Sequence, residues 1–297
     1  MRRIRLDIEY TGTEFSGWQM QPGRRTVQGV LGDALEEVLG EPARPHGAGR
    51  TDAGAHARGQ VAHFDTDARL AVAPLARALN RALPWDVRVM RAADVRPEFD
   101  ARRSAVSKEY RYRVVTGEVM PPRAYPFAIL VRGPLDAARL SAAASRLVGT
   151  HDFAAFRAVG STARTTVRSV HLSEWREGGG GLVYRIAADG FLYKMVRMLV
   201  GTLLRVGLGT LEVDAISALL GEVARHDREP HGARGARRAG PAAPAKGLHL
   251  WRVRYGGLHA PERSRSAEQM RNAANERGEK SLKNIEKLIG REPGTVA

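Results

Sequence analysis

The chain has 297 residues, and 43% of them are hydrophobic, which is enough to build a folded core. Its 47 Lys and Arg residues against 32 Asp and Glu give a formal net charge of +15. This charge favours a phosphate-bearing partner over a small neutral metabolite, the alternative being a basic surface that only confers solubility. The absence of cysteine excludes disulfides, thiolate nucleophiles and cysteine-based metal centres.

Strands and helices alternate in the first part of the chain. Apolar residues alternate with charged ones from Ile4 to Tyr10, which is the period of a half-buried strand. Apolar residues recur at helical spacing from Val27 to Leu39, and Gly40 is a typical helix end. Here the predicted strands cover residues 4–10, 59–66 and 86–95, and the predicted helices cover 26–40 and 72–83.

The second part repeats this alternation. Tyr110, Tyr112 and Val114 share one face of a predicted strand, and charged residues share the other. The predicted strands cover residues 108–115, 167–175, 182–190 and 248–256, and the predicted helices cover 140–149 and 192–205. The pattern favours an α+β fold made of two sheet-and-helix halves.

Two segments depart from this rhythm. Residues 225–246 are rich in Arg, Gly, Pro and Ala and are predicted to form a loop without a packed core. Residues 259–297 are polar and mixed in charge, which predicts a flexible tail or a short helix. The most apolar stretch, from Met195 to Leu211, is too short and too charged to span a bilayer. We therefore expect a cytoplasmic protein without a membrane partner.

The segment GAGRTDAGAHARG places Asp52 two residues after Arg50 in a loop flanked by glycines. A loop aspartate commonly caps a turn, and a carboxylate next to an arginine can also serve as an ionised nucleophile or base. His56 and His63 are close in sequence, but no third ligand clusters with them, so no metal is expected. The loop on its own leaves both interpretations of Asp52 open.

Several segments together resemble one known family. They occur in order across residues 3–255, and they are EYTGTEFSGWQ, TVQGVL, GAGRTDAGAHARGQVAHF, FDAR before KEYRYRV, GTHDFAAFRA, DGFLYKMVRMLVGTLLRVGLG and APAKGLHLWRVRY. In these segments the chain resembles the TruA-type tRNA pseudouridine synthases. The segments around Asp52 and Arg197 are the most specific of them.

The resemblance implies a role for each of four residues. Asp52 corresponds to the catalytic nucleophile, which forms a covalent adduct, and Arg197 to the basic residue that pairs with it. Arg50 corresponds to the arginine that assists eversion of the target base. Tyr110 corresponds to the tyrosine that stacks on the target uracil, although its position on the strand is equally typical of a core aromatic.

The resemblance also implies an architecture and a substrate. Two duplicated RRM-like subdomains, residues 1–104 and 105–258, would enclose the active-site cleft in the pseudouridine synthase fold. The substrate would be uridine in the anticodon stem-loop of tRNA, at expected positions 38, 39 and 40, and the enzyme would be a homodimer. No cofactor is expected, because uridine and pseudouridine are isomers.

Residue chemistry is compatible with these roles. An aromatic face holds a detached base without reading sequence, and an arginine at the seam of a helix can reach a carboxylate. Two alternatives remain: a pseudouridine synthase for another RNA or tRNA position, and a non-catalytic RNA-binding protein. Whether Asp52 would attack ribose C1′ or uracil C6 is also open.

Overall fold

The computed structural model describes residues 1–161, 163–178, 180–221 and 239–256. Most of the predicted Arg-rich loop, residues 225–238, lies outside the described residues. The whole predicted tail, residues 259–297, lies outside them as well.

The described chain combines one mixed sheet with a small number of helices. Its strands are β1 (Arg2–Tyr10), β2 (His46–Gly47), β3 (His56–Thr66), β4 (Val87–Val95), β5 (Ala105–Thr116), β6 (Ile129–Val131), β7 (Gly149–Asp152), β8 (Val167–Glu177), β9 (Leu182–Ala188) and β10 (Leu248–Tyr255). Its α-helices are α1 (Val27–Leu39), α2 (Val72–Ala82), α3 (Ala137–Ser145), α4 (Met195–Gly207) and α5 (Asp214–Leu219). The predicted α+β class is confirmed.

The last described strand, β10, lies in the middle of the sheet. The order is β4-β1-β3-β10-β5-β9-β8-β7, with β2 against β3 and β6 against β5. β10 runs parallel to β3, with Leu250 opposite Ala57, and antiparallel to β5, with Leu250 opposite Tyr110. One sheet thus crosses both predicted halves and brings the start of β3 close to the middle of β5. The division into subdomains at residues 104 and 105 stays a prediction.

The first strand and first helix form as their patterns predict. Ile4, Leu6 and Ile8 of β1 are fully buried, and each contributes about 1.5–3 kcal/mol of stability through burial of its side chain. At the start of α1, the Thr26 side chain accepts a hydrogen bond from the Gly29 amide. At its end, Gly40 adopts the left-handed conformation (φ 73°) that stops the helix.

The two predicted helices of the second part begin and end at other residues. The helix predicted over 140–149 runs from Ala137 to Ser145, because Asp136 caps it by accepting from the Arg139 amide and the chain then enters β7. The helix predicted over 192–205 runs from Met195 to Gly207, because Lys194 adopts a left-handed conformation (φ 58°). No helix within the described ranges is long and apolar enough to cross a membrane.

The described end of the predicted Arg-rich loop is packed, so the prediction of an unpacked loop is wrong there. The Gly240 amide donates to Thr202 Oγ1 (2.9 Å), and the Ala243 amide donates to the Arg197 carbonyl (2.9 Å). A Cβ on Gly201 would lie 1.9 Å from the Pro241 carbonyl oxygen, so α4 accepts this segment only with glycine there. Composition could not show this, because small residues suit both a loop and a close backbone contact.

Candidate active site

The loop that carries Asp52 is supported from the turn that follows β1. Thr51 Oγ1 shares a hydrogen bond with the Tyr10 hydroxyl (2.8 Å), and the Trp18 amide donates to the Thr51 carbonyl (3.1 Å). The Gly54 amide donates to the Phe15 carbonyl (3.2 Å), and Gly54 itself has φ 78°, which closes the turn. Residues on both sides of Asp52 are therefore held by backbone contacts.

Gly12 brings that supporting turn into direct contact with the loop. Its amide donates to His56 Nδ1 (3.0 Å), and a Cβ at this position would lie 1.9 Å from the Ala55 carbonyl oxygen. Neither this Cβ nor the carbonyl oxygen can move independently of the backbone, so the loop must move to relieve the clash. A displacement of about 1 Å at a reacting group can cost about 10²-fold in rate.

Gly12→Ala is accordingly expected to lower turnover by about 10²-fold and the free energy of unfolding by about 1–3 kcal/mol. Gly32→Ala is the matched control, because its Cβ would meet atoms only at 3.9 Å and alanine favours a helix interior. Denaturant unfolding and initial rates of both variants check the expectation. Equal activity of the two variants would show that the Gly12 contact does not position the loop.

Asp52 and Arg197 form an ion pair although they are far apart in sequence. Arg197 Nη1 donates to Asp52 Oδ2 at 2.5 Å, and the two side chains are 16% and 18% exposed, respectively. Arg197 Nε donates to the Ala243 carbonyl (2.6 Å), so two partners orient its guanidinium. Within the described parts of the chain, no other hydrogen bond reaches the Asp52 carboxylate, which leaves Oδ1 available to a ligand.

Tyr110 lies beside this ion pair. The residue is 7% exposed, and its ring packs edge-on against Phe191 with centroids 5.0 Å apart. Burial, followed by the neighbouring Tyr10 and Asp52, raises the pKa of Tyr110 above its ordinary value. The hydroxyl is therefore protonated at neutral pH and can donate a hydrogen bond. None of the residues that the structure describes accepts a hydrogen bond from this hydroxyl.

The structure thus brings together three of the four residues predicted for the site: Asp52, Arg197 and Tyr110. Arg50 lies in the same loop as Asp52, and its side chain is exposed, with no ion pair to any described residue. Phe191 was not singled out from the sequence. The sequence feature that could have indicated it is the DGFLYKMVRM segment, in which Phe191 is the third residue. The last four residues of this segment begin the helix that carries Arg197.

The histidines near Asp52 have structural partners. His56 accepts a hydrogen bond from the Gly12 amide and stacks on His249 with ring centroids 4.8 Å apart. Burial lowers the pKa of His249 to about 4 and also lowers that of His56, so both rings are neutral at pH 7. In the described ranges no group of three or more His, Asp or Glu side chains is arranged to hold a metal ion.

Comparison with known proteins shows which family the chain belongs to. A family model described as tRNA pseudouridine synthase matches residues 8–102 and 143–256. The chain belongs to the tRNA pseudouridine synthase family. The two matched segments include Asp52 and Arg197, whereas Tyr110 lies between them. Membership of the tRNA pseudouridine synthase family therefore does not by itself assign a role to Tyr110.

Bacterial relatives share most of their length with this chain. It is 41% identical over 255 residues to tRNA pseudouridine synthase A of Bacillus pumilus, covering 85% of this chain and 99% of the relative. It is 44% identical over 263 residues to that of Solidesulfovibrio magneticus, covering 86% and 92%. A chain of a Cbf5-Nop10-Gar1 crystal structure aligns with TM-score 0.29 and 13% identity, over 68% of this chain and 54% of that one, which is too slight a likeness to bear on the fold.

Proposed function

We propose that this chain converts uridine to pseudouridine in tRNA and that Asp52 is the nucleophile. The observation that carries the proposal is the Asp52–Arg197 ion pair, formed next to the protonated Tyr110 hydroxyl in a member of the tRNA pseudouridine synthase family. A non-catalytic RNA-binding protein has no need of a carboxylate beside its RNA, where it would repel phosphate.

The reaction exchanges one bond for another within a single nucleotide. The N1–C1′ glycosidic bond breaks, the C5–C1′ bond forms, and the proton on C5 is lost while N1 gains one. In the proposal Asp52 Oδ1 bonds covalently to the nucleotide during the exchange, at C1′ or at C6, and is released at the end. Arg197 orients the carboxylate through its hydrogen bond to Oδ2, and no redox or group donor is consumed.

Two further residues are proposed to hold the target nucleotide. Tyr110, backed by Phe191, would stack on the uracil and prevent its escape while it is detached. Arg50, an exposed cation in the loop that carries Asp52, would enter the space left by the everted base and meet phosphate. Both roles are compatible with a buried tyrosine near Asp52 and an exposed arginine two residues before it.

The finer substrate assignment follows the resemblance of the sequence to TruA-type enzymes. We propose uridines at positions 38, 39 and 40 of the anticodon stem-loop as targets, and a homodimer in which one tRNA contacts both subunits. The net charge of +15 supports a polyanionic substrate. Sedimentation of the protein with and without tRNA tests the dimer separately from the chemistry.

The proposal is tested by incubating the protein with unmodified tRNA transcripts and mapping pseudouridine by position. We expect modification at 38, 39 or 40 wherever uridine occurs there, and none in transcripts with cytidine at those positions. Modification at other positions of tRNA, or in another RNA, would support the proposed reaction but contradict the proposed target positions. Binding of tRNA without any pseudouridine would contradict the enzymatic assignment.

A further inference from the structure

Lys108 precedes Tyr110 by two residues on β5 and therefore points to the same face of the sheet. Glu109 lies between them on the opposite face, where its carboxylate binds Arg111 and Arg185. The acidic residue nearest to Lys108 in sequence is therefore turned away from it. The ammonium group of Lys108 belongs to the face that carries the candidate active site.

Gly49 shows how close Lys108 is to that site. A Cβ on Gly49 would lie 3.8 Å from Lys108 Nζ and 3.8 Å from the Tyr110 hydroxyl oxygen. Both polar atoms therefore border the same point of the loop that carries Asp52. The Gly49 carbonyl is itself occupied, since it accepts a hydrogen bond from Gln60 Nε2 (2.8 Å).

Lys108 has no anionic partner within the described parts of the chain. Neither a hydrogen bond nor a salt bridge engages its ammonium group there, and the charged groups that act on it most, Arg102 and Arg168, are cations. Burial, reinforced by these two arginines, lowers the pKa of Lys108 to about 8. Arg168 borders Gly190, which directly precedes the Phe191 that packs on Tyr110.

A cation that is largely buried among other cations costs folding free energy unless an anion compensates it. Since no described residue supplies the anion, the site suits a ligand that brings its own negative charge. A buried ammonium group binds a phosphate as a point charge, without the planar geometry that a guanidinium imposes. Because Lys108 is largely buried next to Tyr110, the phosphate that reaches it must adjoin the nucleotide in the active site.

We propose that Lys108 binds a backbone phosphodiester of the RNA next to the target uridine and so sets the depth at which that nucleotide enters the site. This inference rests on the proposed function and deepens it. Lys108 is a positioning residue, because it contacts a phosphate and not the reacting base. Arg102 and Arg168 add to the positive field around the same phosphate.

The test compares Lys108→Met with Lys108→Arg and with Arg81→Met, the last removing an exposed charge on α2, at the far edge of the sheet. For an anticodon stem-loop RNA, we expect Lys108→Met to raise KM about 10-fold while kcat changes by less than about 2-fold. The slope of log affinity against log salt should fall by about 1. Lys108→Arg should restore most of the affinity, and Arg81→Met should leave KM unchanged.

A chemical probe identifies the phosphate. In a series of the same RNA, one linkage at a time around the target uridine is replaced by a neutral methylphosphonate. One of these RNAs should bind the wild-type protein about as weakly as Lys108→Met binds the unmodified RNA. When that RNA is combined with Lys108→Met, the affinity should fall no further. Binding is measured in an Asp52→Asn background, so that turnover does not interfere.

Three results would overturn the proposal. The first is a loss confined to kcat, the second is unchanged RNA affinity in Lys108→Met and Lys108→Gln, and the third is additive losses at every methylphosphonate position. Lys108→Gln provides a polar replacement if the methionine variant does not fold. The proposed function is refuted instead if the wild-type protein forms no pseudouridine in any RNA. Only the inference about Lys108 is refuted if the Lys108 variants show both normal turnover and normal RNA binding.

Discussion

Replacing Asp52 with asparagine is expected to abolish pseudouridine formation while tRNA still binds. Asparagine keeps the shape of the side chain, but its amide oxygen cannot form the covalent adduct. Loss of a covalent nucleophile lowers kcat by at least about 10⁴-fold. Affinity for tRNA should stay within about 2-fold of wild type, because affinity comes mainly from phosphate contacts. Single-turnover assays and filter binding on the same preparation measure the two quantities.

Two further variants make this result specific. Asp65→Asn removes a carboxylate that is also paired with an arginine, at 2.7 Å from Arg3 Nε, but lies near the end of β3 away from the site. It should therefore retain full turnover. Asp52→Glu keeps the charge and moves it by one methylene, so its activity should remain far below wild type. Normal turnover by Asp52→Asn would remove this residue from the role of nucleophile.

Replacing Arg197 with methionine is expected to lower both kcat and stability. The variant leaves Asp52 Oδ2 and the Ala243 carbonyl without their donors at a site that is less than a fifth exposed. We expect kcat to fall by about 10²–10³-fold, as it does when one donor to a reacting anion is lost. The free energy of unfolding should fall by about 2–3 kcal/mol, because a partly buried carboxylate is left unpaired.

The ion pair can be separated from other effects of the substitution. Arg139→Met is the matched control, since Arg139, like Arg197, bonds both backbone carbonyl and carboxylate acceptors. These acceptors are the carbonyls of Val206 and Leu211 and the carboxylate of Glu212. The control variant should lose stability without losing kcat. In a double-mutant cycle, Asp52→Asn together with Arg197→Met should be more stable than the sum of the single losses predicts. Additive losses would mean that the two side chains do not stabilise each other.

Local patterns predicted those elements whose residues report directly on one buried face. The alternation from Ile4 to Tyr10 and the Thr26–Gly40 helix signals correspond to β1 and α1 almost residue by residue. Short elements were not predicted: β2, β6, β7 and α5 have two to six residues each, too few for a period to show. The start of α4 also escaped prediction, because a left-handed conformation of Lys194 has no signal in a lysine.

The sequence by itself determined the α+β class, the family and the position of the loop that carries Asp52, because periodicity and motif order are properties of contiguous residues. Only the tertiary structure decided what stands opposite each residue. The insertion of β10 between β3 and β5 places Tyr110 beside the Asp52 loop, and α4 brings Arg197 to Asp52 across 145 positions of sequence. Lys108 shows the same limit. A period of two places it on the face of Tyr110, but it cannot show that none of the described carboxylates pairs with it there. Pairing across a sheet depends on long-range packing, and no local pattern encodes the partner.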